Sequence, residues 1–177
     1  FEHAQTDSTE FPLHALTQRP PFMYHSWGSQ NAWLRQIMAR NYLYLHPKTA
    51  AWYQLADGDW VELSSHLSAI TVPVKLSNNV QQDTVWTGNA QGKRKGSWGL
   101  SPKASESNQS FLLNPLISDL TPNADYANAD PITGQAAWFD LRVAIKKVPK
   151  QVFSSPQFTP LNTSEPKIHV LRYGEKA

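Results

Sequence analysis

The chain has 177 residues, enough for one domain with a substantial hydrophobic core, and its 16 Lys and Arg against 14 Asp and Glu leave a formal net charge of +2. So mild a charge, with an isoelectric point of about 8.8, lacks the electrostatic footprint of a dedicated nucleic-acid binder. Cysteine is absent, which excludes disulfides, thiolate metal sites and iron–sulfur ligation within these residues.

The opening "FEHAQTDSTEF" has neither an initiator Met nor a cationic and apolar signal region, and reads as part of a fragment or a processed product. Residues 1–10 are accordingly expected to be a leader or interdomain segment. "FPLHALTQRP" begins as a short alternating apolar strand and stops at Pro20 and Pro21, which lack the N–H that a ladder requires. "NAWLRQIMAR" places Trp33, Ile37 and Met38 at helical spacing behind Asn31 as N-cap. "YLYLHPKTAAWYQLADGDWVEL" gives a strand, a helix started by Pro47, and a polar Asp57-Gly58-Asp59 turn into another strand. Alternating apolar positions on both sides of residues 66–68 predict a hairpin, and "DTVWTG" a further strand.

The stretch "GNAQGKRKGSWG" then sets Lys93, Arg94 and Lys95 among glycines, which suits a phosphate cradle, a nucleic-acid grip or a solvated turn. "SPKASESNQS" is polar loop, "FLLNPLISDL" a brief helical turn interrupted at Pro115, and "WFDLRVAIKKV" the last strand, with Phe139, Leu141, Val143 and Ile145 on one face. Beyond it, prolines recur without a periodic apolar face, yet Phe153, Phe158, Leu161, Ile168 and Tyr173 are too apolar for a free linker. An extended tail over residues 149–177 that wraps a surface follows. The class is mainly β, many short strands and a few short peripheral helices around one core over residues 11–148, which favours a barrel over a layered α/β sheet.

No catalytic constellation stands out. The six histidines fall in no metal-ligand spacing, there is no GxSxG elbow, and no GxGxxG or Walker loop follows a strand. No catalytic residue and no metal ligand is assigned. Asp57 and Asp59 are better read as a turn than as an acidic pair. No apolar run approaches the ~20 residues that span a bilayer. Of the seven tryptophans, Trp60, Trp86 and Trp138 are assigned to the core, whereas Trp27 and Trp98, in glycine-containing loops, are candidates for an interface with another domain.

The order of segments from Phe11 to about Lys147 resembles the C-terminal molybdopterin-dinucleotide-binding domain of the dimethyl-sulfoxide-reductase family of molybdenum oxidoreductases. "FPLHALTQRPPFMYHSWGSQN" is similar to that family's first strand and Thr-x-Arg…His-Ser loop. "YLYLHPKTAAWYQLADGDWVEL" is similar to its strand, His/Asn-Pro, helix and Asp-Gly-Asp-x-Val signature, and "DPITGQAAWFDLRVAI" to its closing Asp-Pro-x-Ser/Thr-Gly motif. The resemblance implies a six-stranded double-psi β-barrel that closes over a bis-molybdopterin guanine dinucleotide. It places the molybdenum ligand, and any iron–sulfur cluster, elsewhere in a larger catalytic subunit, so that this fragment alone is inactive. Within the family, "WTGNAQGKRKGSWGL", "FLLNPLIS" and the proline-rich tail look most like sulfite-dehydrogenase-type catalytic subunits acting on a small sulfur compound. That resemblance implies two partners, an iron–sulfur electron-transfer subunit together with a membrane-anchor subunit. It further implies no direct membrane insertion, and a cytoplasmic location with association to the membrane through those partners, a periplasmic one staying open.

Phosphate, pterin and guanine edges call for cations, amides and hydroxyls from loops. By resemblance Thr17, Gln18, Arg19, His25 and Ser26 match the family's cofactor-contact loop, Asn114 its Asn after the long loop, and Asp130 and Gln135 the polar positions of the closing motif. Lys93 or Arg94 would neutralise a cofactor phosphate or an acidic neighbouring domain. Alternatives stand beside these: His25 packing on Tyr24 or Trp27, Asn114 capping a helical turn, Asp130 ordering its own turn, and residues 93–95 as a solvated cation run. Gln135-Ala136-Ala137-Trp138-Phe139 departs from relatives that carry a Lys shortly after the closing Gly, which leaves a contact from that position in doubt. A different class of function, a stand-alone barrel that grips single-stranded nucleic acid through residues 93–95 and exposed aromatics, is the alternative.

Overall fold

The computed structural model describes residues 7–24, 28, 31–38, 40–89, 110–120, 129–130, 132–136, 141–149 and 159–160. Among these described residues, strands and short helices follow in the order β1 (Leu13–Gln18), α1 (Ala32–Ile37), β2 (Leu43–Leu45), α2 (Pro47–Trp52), β3 (Trp60–Ser64), β4 (Ser68–Leu76), β5 (Thr84–Gly88), a 3-10 turn (Asn114–Leu116), β6 (Arg142–Val148) and β7 (Thr159–Pro160). Hydrogen bonding runs β2–β5–β1–β6–β3–β4, and β4 returns to β2 to close a six-stranded barrel. Two of the neighbouring pairs are parallel, β1 with β5 and β2 with β4, and the others antiparallel. This is the mainly β, double-psi barrel architecture that the sequence leads one to expect.

Period-2 patterning explains the closure. Leu13 and Ala15, Leu43 and Leu45, Val61 and Leu63, Ile70, Val72 and Val74, Val85, and Val143 and Ile145 all point inward and are buried. Phe111, Leu113 and Leu116 join the same cluster from the segment around the 3-10 turn. Burying each Val, Leu, Ile or Phe stabilises the fold by roughly 1.5–3 kcal/mol, enough in sum to offset the ordering of short strands. Pro73 sits inside β4 without breaking it. Val74 N–H donates to Asp59 O at 2.8 Å, so the preceding residue faces the other edge, where the β2 ladder starts only at Val74.

Both helices are set by their caps. Asn31 accepts from the N–H groups of Trp33 and Leu34, and His46 Nδ1 accepts from Lys48 N–H with Pro47 in the first turn. Gln54, at φ +54°, ends α2 as Leu55 N–H reaches back to Ala50 O.

Three expectations change. Met38 is not part of α1 but follows it as the C-cap. Trp33 and Ile37, one turn apart on α1, are 77% and 65% exposed, so the apolar spacing marks an outward face. Trp60 is buried as expected, but Trp86 is only half-buried because its strand register turns it outward. Trp27, Trp98, Trp138 and Phe139 lie outside the described residues. Of the tail, Thr159–Pro160 pair antiparallel with Ser68–Ala69 as β7, on the stretch of β4 that extends past β2.

Candidate functional site

Strand direction sorts the chain into two ends of the barrel. At the base, the Asp57-Gly58-Asp59 turn uses both carboxylates structurally. Asp59 Oδ2 accepts from Ala56 N–H at 2.8 Å and pairs with Lys147 Nζ at 2.7 Å, while Asp57 Oδ1 accepts from Leu76 N–H at 2.7 Å. Gly58 turns the chain there with φ +83°. The acidic pair is therefore a turn and not a reaction centre.

The other end is the mouth. Because β1 and β5 are parallel, with Thr17 opposite Thr87 and Gln18 opposite Gly88, their carboxyl ends open side by side. Carboxyl ends of adjacent parallel strands are where a fold can offer backbone amides and loop side chains to one ligand. Thr17 is half-buried, and Gln18 and Arg19 are exposed as the chain leaves β1. Asn89 N–H donates to Gln18 O at 2.9 Å, binding the two exits together. β6 runs antiparallel to β1, with Leu141 O accepting from Ala15 N–H, so β6 runs from the mouth side toward the base. Asp130 and Gln135 precede β6 in the sequence. The β3–β4 hairpin turns at the mouth too, and it holds the 3-10 turn that begins at Asn114: Ser65 Oγ donates to Leu116 O at 2.7 Å and Ser68 Oγ to Pro115 O.

The described residues bring to one end the segments of Thr17, Gln18, Arg19 and Asn114, whereas Asp130 and Gln135 are separated from β6 by residues 137–140, outside the described residues. His25, Ser26, Lys93 and Arg94 lie outside the described residues. Asn114 does not cap the 3-10 turn with its side chain, which is exposed and available; its carbonyl accepts from Ile117 N–H. Asp130 is occupied differently: Oδ1 accepts from Ile132 N–H, Thr133 N–H and Thr133 Oγ. These bonds, Thr133 N–H first, hold its carboxyl below the usual range. With Gly134 at φ +70° and Asp130 N–H donating to Gln135 O, the residue orders a tight hairpin closed by the Ala129–Ala136 bridge. Its observed bonds are those of the turn.

Polar residues that motif order does not mark also sit at the mouth. Asn41 is fully buried two residues before β2 and bonds across to Gly88 and Phe111. The period-2 register was its signal, since Asn41, Leu43 and Leu45 share the inward face. Thr87 Oγ and Asn89 Oδ1 are buried without a hydrogen-bond partner among the described residues. Orphaned polar atoms cost about 1–3 kcal/mol each unless a partner arrives, so this end is chemically unfinished where a polar ligand would complete it. Hydroxyl, amide and guanidinium groups with orphaned acceptors fit a ligand rich in phosphate oxygens and heterocyclic N–H groups. Among the described residues no cluster of three or more His, Asp or Glu could hold a metal ion, and no helix is long and apolar enough to cross a membrane.

Comparison with known proteins agrees with this geometry. Residues 13–131 match the family described as "Molydopterin dinucleotide binding domain". The chain is 49% identical over 167 residues to a sulfite dehydrogenase subunit of Allochromatium vinosum, covering 91% of this chain and 17% of that protein. It is 33% identical over 82 residues to the assimilatory nitrate reductase catalytic subunit of Bacillus subtilis, covering 45% of this chain and 11% of that protein. Acetylene hydratase from Pelobacter acetylenicus shares the fold, with a TM-score of 0.65 at 16% identity over 84% of this chain and 21% of that one. The chain therefore spans about a sixth of the length of the first of these relatives. Neither the geometry nor the relatives support the nucleic-acid alternative.

Proposed function

Because the chain belongs to the molybdopterin-dinucleotide-binding domain family, we propose that its mouth holds bis-molybdopterin guanine dinucleotide for the catalytic subunit of a larger oxidoreductase whose substrate is a small sulfur oxyanion such as sulfite. The observation that carries this reading is the convergence of the β1 exit, the β5 exit and the 3-10 turn at one end that has orphaned polar atoms. Arg19 supplies a guanidinium for paired bonds to phosphate, Thr17, Gln18 and Asn114 supply hydroxyl and amide groups, and Thr87 and Asn89 supply the unmet acceptors. His25, Ser26, Lys93 and Arg94 are proposed contacts on sequence grounds, and Gln135 flanks the hairpin ordered by Asp130. When bound, the cofactor supplies a redox-active molybdenum centre whose protein ligand lies outside this chain.

Support for the substrate class is the 49% identity to a protein named as part of a sulfite dehydrogenase. On the same reading residues 11–148 form the cofactor-binding unit and residues 149–177 a tail laid over it or over a neighbouring domain. An iron–sulfur cluster elsewhere in the protein, an electron-transfer partner, a membrane anchor and a cytoplasmic location complete the proposal.

The test is purification of the full-length protein, with molybdenum and released guanine nucleotide assayed beside sulfite-dependent reduction of an artificial acceptor. Co-purifying metal and nucleotide with sulfite turnover is expected. Loaded protein inert to sulfite would reject the substrate and keep the domain's role; protein free of guanine nucleotide would reject the role itself.

A further inference from the structure

One buried side chain ties the mouth together. Asn41 Nδ2 donates to Gly88 O at 2.8 Å and to Phe111 O at 3.2 Å, and Asn41 Oδ1 accepts from Gly88 N–H at 3.2 Å and Tyr42 N–H at 3.1 Å. Gly88 is the last residue of β5, and Phe111 belongs to the core and follows residues 90–109 in the sequence. A single amide thus bonds both ends of the connection that carries Lys93, Arg94 and Lys95. From Gly88 the network passes through Asn89 N–H to Gln18 O, beside Arg19, and from Phe111 the chain leads within three residues to Asn114.

We propose that Asn41 is the positioning residue of the cofactor site, fixing the β1 exit, the β5 exit and the Asn114 segment in one frame before the dinucleotide binds; this rests on the function proposed above. Joining the ends of a long connection costs configurational entropy, and a frame that meets this cost during folding leaves it out of the binding step. An Asn amide meets the geometry. It donates two bonds to carbonyls and accepts two from N–H groups, which a carboxylate, with no donor, cannot do. The orphaned Thr87 Oγ and Asn89 Oδ1 flank Gly88, so the side chains at the β5 exit do not brace it themselves.

The experiment uses the full-length enzyme with Asn41→Ser and Asn41→Asp. Release of guanine dinucleotide should accelerate about tenfold or more, as expected for losing two neutral hydrogen bonds from a frame that binding must then rebuild. Hydrogen exchange should rise at Gly88, Asn89 and neighbours of Phe111, while β3, β4 and β6 keep their protection. Unchanged release from fully loaded variants would overturn the proposal, as would exchange that rises through the whole barrel, the mark of a merely structural role. Should both variants fail to fold, wild-type enzyme stripped of cofactor decides: protected Gly88 and Asn89 amides support a preformed frame, and amides protected only in loaded enzyme overturn it. Wild-type enzyme that carries no guanine nucleotide would instead overturn the underlying function, and the proposal with it.

Discussion

Tyr44 and Trp86 stack on the outer wall of the barrel, directly opposite in the β2–β5 register, with ring centroids 4.1 Å apart and planes 7° from parallel. Tyr42 meets Tyr44 edge-on at 6.4 Å, and Lys75 Nζ lies 5.4 Å from the centre of the Tyr42 ring. β2 has only three residues, so this side-chain ladder strengthens the shortest barrel strand. Expressed alone, the chain should unfold cooperatively, since its core needs neither metal nor disulfide. A double-mutant cycle with Tyr44→Ala and Trp86→Ala, followed by urea unfolding, should give a coupling energy of about 0.5–1.5 kcal/mol.

That pair also shows what the sequence conveyed and what it hid. "YLYL" and "TVWTG" announce strands through alternation, so the core set of Leu43, Leu45 and Val85 was legible. Which strands would meet was not, because pairing joins residues some forty positions apart and no local pattern encodes it; the outward stack of Trp86 on Tyr44 depends on that pairing. The site divides likewise. Thr17, Gln18, Arg19 and Asn114 were marked through motif order, and their segments lie at the mouth, where cofactor contact is the proposal. Asn41 was missed because buried polar residues resemble surface ones until the register is counted. Asp130 shows the reverse case, a motif carboxylate whose three observed bonds serve its own turn.

The ion pair at the base gives a pH dependence of known sign. Hydrogen bonding from Ala56 N–H, and then from Lys147, lowers the Asp59 carboxyl below its ordinary value of 3.8. A depressed acid stabilises the fold above its unfolded value and loses that contribution as pH falls through the folded one. Asp59→Asn should therefore destabilise the isolated chain at neutral pH by less than about 1 kcal/mol, given how exposed Lys147 is. Unfolding midpoints of the two proteins should converge as pH falls from the ordinary carboxyl value through the lower one at which folded Asp59 takes up its proton.

Trp33 and Ile37 present an apolar face beside the mouth, since α1 joins the exit of β1 to the start of β2. Solvated in the chain alone, they contribute little to its folding: Trp33→Ser with Ile37→Ser should shift urea stability by no more than about 0.5 kcal/mol per site. The sulfite dehydrogenase subunit of Allochromatium vinosum is several times longer than this chain, and in a full-length protein of that kind an apolar face beside the mouth is suited to packing against a neighbouring domain. There the same double substitution should lower the thermal inactivation temperature by several degrees. A comparison of the two preparations reads the difference directly.

Arg19 offers the most direct separation of binding from folding. It leaves β1 at the mouth, exposed, next to the Gln18 carbonyl that is bonded to Asn89 N–H. A guanidinium there can make paired, charge-assisted hydrogen bonds to a phosphate or to a pterin carbonyl oxygen, a geometry that Lys cannot reproduce. Arg19→Ala in the full-length enzyme should weaken cofactor retention by about 1.5–3 kcal/mol, the size of a lost charged hydrogen bond. In the isolated chain the same change removes only a solvated side chain, so stability should move by less than about 0.5 kcal/mol. Arg19→Lys should recover charge but not the paired geometry, and retention should fall between the other two. Molybdenum and guanine-nucleotide content of the three purified enzymes, set beside thermal unfolding of the three isolated chains, checks both halves. Full occupancy in Arg19→Ala would take the residue out of the site, and an unfolded isolated chain would make its role structural.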